Sequence, residues 1–75
     1  METLREARVR KLLSIRGLAE LAQVSPQTVA SVEAGQVLPQ PGTIRKLAAA
    51  LGVEPGEIVE FRRAMDAAIA GKEAA

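Results

Sequence analysis

The feature that most constrains this chain is the spacing of its helix starts and stops. Ser14, the pair Ser25-Pro26, Gly35, the cluster Pro39, Pro41 and Gly42, Gly52, the pair Glu54-Pro55 and Gly71 recur along the 75 residues. Ser before a periodic apolar segment is a good N-cap, and Pro suits the first helical position. Gly just past a segment suits the left-handed stop. Between these marks apolar residues recur at helical spacing, and no alternating segment is present. The spacing predicts an all-α fold, a compact five-helix arrangement with an extended C-terminal helix. The first helix is expected over 3–12, with Leu4, Ala7 and Leu12 or Leu13 inward. The second is expected over 15–22, carrying Leu18, Ala19, Leu21 and Ala22. Gln23-Val24 reads as a turn, and a third helix runs from Pro26 to about Ala34. Residues 36–42 read as a loop and 43–50 as the fourth helix. Glu54-Pro55 opens a fifth, which continues to Ala70 before Gly71. Residues 1–71 form one domain, followed by a frayed tail at 72–75.

Composition removes several function classes. Cys, His, Trp and Tyr are absent, and Phe61 is the one aromatic residue. Disulfides and thiolate zinc sites are excluded, and no metal or cofactor is expected. One aromatic cannot build a base-stacking platform for single strands. The hydroxyls of Thr3, Ser14, Ser25, Thr28, Ser31 and Thr43 have no His to activate them, so an enzyme is not expected. The apolar runs are too short for a membrane span, and no secretory leader is visible, so a cytoplasmic location is the default. A domain this small buries only about 60% of its unfolded surface, so close packing or a partner subunit is needed. Fourteen alanines suit close helix crossings.

Residues 14–35, SIRGLAELAQVSPQTVASVEAG, read as helix, short turn and capped second helix. Ala19 is small where two helices cross, Val24 plugs the turn, and Val29 and Val32 form the inner face. Gln27, Ala30, Ser31 and Ala34 face outward. The chain here resembles the Cro/cI-type (lambda-repressor-like, or XRE) helix-turn-helix proteins. The likeness runs over about residues 4–59. It includes Leu4-Arg5-Glu6-Ala7-Arg8, Leu13-Ser14, Glu33-Ala34-Gly35, Pro39, Thr43-Ile44, Lys46-Leu47-Ala48 and Ala50-Leu51-Gly52-Val53. The resemblance implies a sequence-specific transcriptional regulator, a repressor, binding double-stranded DNA as a two-fold dimer on an inverted-repeat operator. It implies base-facing positions at Pro26, Gln27, Thr28, Ala30 and Ser31, and phosphate contacts near Ile15, Arg16, Ser25, Gln36 and Lys46. Gln27 is the best base reader, because an amide can bond bidentately to adenine. The resemblance also implies a structural ion pair between Arg8 and Glu33.

The chain departs from the family pattern in four ways. Ile15 stands where Gln usually contacts phosphate, leaving only a backbone N–H. Gln23 replaces the turn Gly, at a cost of about 1 kcal/mol. Pro26 stands where a polar base reader is common. Charge is the largest departure. Residues 1–16 carry net +3, residues 17–44 have no Lys or Arg and net −2, and residues 45–75 are neutral. Cationic contacts to DNA must come from Arg10, Lys11 and Arg16 on one flank and Arg45 and Lys46 on the other. Modest salt dependence and a requirement for dimerisation follow.

Two apolar features have alternative readings. Val9, Leu12 and Ile15 either pad the core, the favoured reading, or form an exposed patch for a partner. Ile58, Phe61, Met65, Ala68 and Ile69 form an amphipathic stripe on the last helix. The stripe either caps its own core or makes a dimer contact through Phe61, Met65 and Ile69. The competing function is a protein-interaction module of the same fold, an anti-repressor or antitoxin-like partner with weak DNA affinity.

Overall fold

The computed structural model describes the backbone of residues 1–74 and side chains through Gly71. Five α-helices run in the order α1 (Leu4–Arg10), α2 (Ile15–Ala22), α3 (Pro26–Glu33), α4 (Pro41–Leu51) and α5 (Val59–Ala74). A single 3-10 turn, Pro55–Glu57, precedes α5. α4 begins two residues before the expected start, because Pro41 occupies its first turn with the φ a helix needs. Glu54-Pro55 opens only the 3-10 turn, which corrects the expected single fifth helix. Ile58 is extended, with φ −103° and ψ 128°, and α5 starts after it. The cause lies at the other end of the chain. The Glu2 N–H donates to the Glu57 carbonyl (3.2 Å), and the Val59 N–H donates to the Glu2 carbonyl (2.9 Å). This isolated bridge pulls Ile58 out of helical geometry. α5 also continues through Gly71 to Ala74. Of the frayed tail expected at 72–75, Ala75 lies outside the described residues.

The starts of α1, α2 and α3 follow from hydroxyl caps. The Thr3 hydroxyl accepts from the Glu6 N–H (3.1 Å), and the Glu6 carboxylate accepts from the Thr3 N–H (2.8 Å), closing a capping box. The backbone N–H of Thr3, bonded to the charged carboxylate, holds Glu6 below its ordinary pKa. Ser14 accepts from the Gly17 N–H at 2.9 Å, and Ser25 from the Thr28 N–H at 3.1 Å.

The first four helices end alike, each on a left-handed residue. These are Leu12 (φ 58°), Gln23 (φ 59°), Gly35 (φ 74°) and Gly52 (φ 66°). After each, the next N–H reaches back five residues. Leu13 donates to Arg8, Val24 to Ala19, Gln36 to Ser31 and Val53 to Ala48, at 3.0–3.1 Å. This double-bonded stop satisfies carbonyls that would otherwise lack partners. Two of the four stops use Gly, and two hold a residue with a Cβ in a region that costs about 1–2 kcal/mol.

The core joins Leu4 and Ala7 of α1, Leu18, Ala19 and Ala22 of α2, and Val29 and Val32 of α3. It continues through Ile44, Leu47, Ala48 and Leu51 of α4 to Ile58, Phe61 and Ala64. Leu13 and Val24 of the turns and Ile15 at the start of α2 pack against it. Three expectations are corrected here. Leu21 faces out, and so do Val9 and Leu12, the latter 92% exposed. Leu12 cannot point inward because its left-handed backbone ends α1 and hands the inward position to Leu13. Phe61 is fully buried, so it fills the protein's own core and offers no surface to a second copy. Beyond Ala64 every residue to Gly71 is exposed, so the second half of α5 extends past the core of a molecule measuring 40 × 22 × 19 Å with α5 included.

Candidate nucleic-acid interface

α2 and α3 are joined by a two-residue link, Gln23 to Val24, before the Ser25 cap. Val29 and Val32 turn one side of α3 into the core, so the opposite side is presented outward. On that side Pro26 and Gln27 are exposed, and Ala30 and Ser31 are half-buried. The Gln27 side-chain amide donates to the Ser31 hydroxyl at 3.2 Å, one helical turn away. The Ser25 and Thr28 hydroxyls lie 2.8 Å apart, with Ser25 also capping the helix. Those two hydroxyls are therefore engaged with each other, and Thr28 is half-buried.

The far end of α3 is anchored by charge. Arg8 Nε donates to Glu33 Oε2 at 2.7 Å, and its terminal nitrogen donates to Glu33 Oε1 at 3.0 Å. Its other nitrogen donates to the Leu13 carbonyl at 2.9 Å. The side chains are 11% and 9% exposed. This bidentate fork ties α1, α3 and the α1–α2 turn into one unit. The bond to Glu33 raises the Arg8 pKa, so the guanidinium stays charged. It also neutralises one of the two acidic groups of residues 17–44, leaving Glu20 with no ion pair among the described residues.

The flanking cations divide. Arg10 is paired with Glu2, whose carboxylate raises its pKa, so a phosphate would compete with that partner for it. Lys11, Arg16, Arg45 and Lys46 are exposed and in no ion pair among the described residues. Arg16 sits in the first turn of α2, where the N–H groups of Ile15 and Arg16 remain open beside the capped Gly17. Ile15 itself is half-buried against the core, so it presents only its N–H outward. The Gln36 N–H is used in the α3 stop, while its side chain is exposed.

A second surface lies across the molecule's other elements. The α3–α4 loop, the start of α4 and the free half of α5 enclose an apolar groove of about 590 Å³. Leu38, Pro39, Ile44, Ala64, Met65 and Ile69 line it. Met65 is 38% and Ile69 57% exposed. The α5 side was visible in the sequence as a stripe. The loop side was not, because Leu38 and Pro39 belong to no periodic segment.

The family model of helix-turn-helix proteins (HTH_3) matches residues 4–58, from the first residue of α1 to the residue before α5. The chain belongs to the lambda-repressor-like, or XRE, helix-turn-helix family. No match to a curated protein or to a solved structure is found. Helix-turn-helix proteins of this family are DNA-binding transcriptional regulators, generally without enzymatic activity. Among the described residues, no helix is long and apolar enough to cross a membrane. The helix-turn-helix match ends before Val59, so α5 and its side of the groove lie outside the matched part, while Leu38, Pro39 and Ile44 on the other side lie within it.

Proposed function

We propose that the protein is a sequence-specific, double-stranded-DNA-binding transcriptional repressor that acts in the cytoplasm as a two-fold dimer on an inverted-repeat operator. The observation that carries this reading is the outer face of α3. There a polar amide, a hydroxyl and a small methyl side chain stand on a helix whose inner face and far end are rigidly held. Gln27 and Ser31 form the polar part of the base-facing surface, Ala30 meets a thymine methyl, and Pro26 and Thr28 lie alongside. The open N–H groups at the α2 start, with Arg16, Ser25, Gln36 and Lys46, take the phosphates. The groove side of α5 supports the dimer. Met65 and Ile69 of each copy cover the apolar surface that a monomer leaves in water.

The neutral character of α3 favours a second reading, in which the same fold binds a regulatory protein and DNA only weakly. One experiment separates the two: the purified protein is selected against a random duplex library over several rounds. Enrichment of an inverted repeat supports the repressor. Absence of any enriched site at low salt supports the interaction module.

A further inference from the structure

We infer that Ser31 is a positioning residue for Gln27, holding its amide in the one sense that reads adenine and rejects guanine. The inference rests on the reading that α3 enters the major groove. A Gln side chain carries two N–H donors on Nε2 and one acceptor, Oε1. With no neighbour it turns freely and can offer either a donor and an acceptor or two donors. Here one N–H is committed to the Ser31 hydroxyl at 3.2 Å, across the i and i+4 positions that face each other on a helix. What remains is one N–H and the carbonyl. That pair matches adenine, which presents an acceptor at N7 and a donor at N6. Guanine presents acceptors at both N7 and O6, so the amide carbonyl would oppose an acceptor. Ordering the long Gln side chain before binding also lowers the entropy lost on the DNA. The hydroxyl hydrogen of Ser31 stays available for a water or a phosphate oxygen.

Two features set this apart from Ser31 reading a base of its own. Ser31 is half-buried while Gln27 is exposed, so Gln27 stands further out. The bond also runs from the amide to the hydroxyl, which occupies the Ser31 lone pair facing Gln27.

The test uses the site selected by the wild-type protein, changed one base at a time, with affinities measured by fluorescence anisotropy. Wild type is expected to prefer adenine to guanine at one half-site position by about tenfold. Gln27→Ala and Ser31→Ala should both reduce that preference below about twofold, at the same position. The double variant should do no worse than Gln27→Ala, the non-additivity of residues acting as a unit. Ser31→Thr, which keeps the hydroxyl, should retain the preference. A purely structural role would instead weaken binding to every base equally and lower the thermal midpoint. A Ser31→Ala protein that keeps the adenine preference, or loses preference at a different base, overturns the inference and leaves the repressor reading standing. A wild-type protein that enriches no site overturns both.

Discussion

Leu12 and Gln23 show how a single residue can carry a cost that its neighbours do not reveal. Both hold left-handed backbone where Gly stands at the two equivalent stops, Gly35 and Gly52. Leu12 is almost wholly in water, so little packing is lost by removing its side chain. Leu12→Gly and Gln23→Gly are each expected to raise stability by up to about 1 kcal/mol, read as a higher urea midpoint at unchanged slope. A lower midpoint for Leu12→Gly would mean that its side chain makes contacts the exposed position does not suggest. The Gln23 stop was legible, because the family's turn Gly marks that position. The Leu12 stop was not, because nothing in Lys11-Leu12-Leu13 distinguishes a left-handed residue from a helical one. Arg8 and Glu33 behave in the opposite sense. Arg8→Met leaves a mostly buried carboxylate and an unsatisfied Leu13 carbonyl, and should cost about 3 kcal/mol. Adding Glu33→Met should recover part of that loss, since removing both charges removes the uncompensated one. Glu6 adds a small acid dependence. Its pKa is lowered by folding, so its contribution is full above the ordinary carboxylate value and fades as pH falls through the lower folded value. Glu6→Gln should flatten that part of the stability profile in an acid titration.

At the scale of the elements, α5 divides into two parts with different duties. Its first half docks Phe61 and Ala64 into the core and is held by the N-terminus, where the Glu60 carboxylate accepts from the Leu4 N–H at 2.8 Å. Every residue of its second half to Gly71 is exposed, with one side lining the groove. The two halves should respond differently to mutation. Phe61→Ala is expected to destabilise the fold by about 3–5 kcal/mol, seen as loss of helical signal at moderate temperature. Met65→Glu and Ile69→Glu should leave the monomer folded and shift the light-scattering mass from dimer to monomer. A dimer mass that survives both substitutions rules out this face. The stripe itself was legible from its 3, 4, 3 spacing, but the boundary between its core and surface parts was not. Helical spacing reports which side of a helix is apolar. It does not report where the partner beneath that side ends, and here the body ends near Ala64. The hydroxyl caps at Ser14 and Ser25 and the stops at Gly35 and Gly52 were readable for the opposite reason: each is fixed by local chemistry alone. The extended Ile58 depends on Glu2, 56 residues away, and no local signal could announce it.

For the whole molecule, the near-neutral charge conceals an uneven map that the fold redistributes further. Arg8 is spent on Glu33 and Arg10 is paired with Glu2, so Lys11, Arg16, Arg45 and Lys46 are the four unpaired, exposed cations per copy that the family's docking geometry puts beside the duplex. Two copies give a log–log salt slope no steeper than about −7 on the best site. A slope beyond about −8 would require cations away from α3, such as Arg5 or Arg63, to reach phosphates as well. Binding so sparing in charge depends on two copies acting together. The most direct test of the account is therefore the affinity of the wild-type protein for its selected inverted repeat before and after a half-turn insertion at the centre. About five extra base pairs carry the second half-site to the opposite side of the duplex. The account predicts a loss of at least about a hundredfold, the avidity lost when one copy of the dimer can no longer engage. An affinity unchanged by the insertion would contradict it.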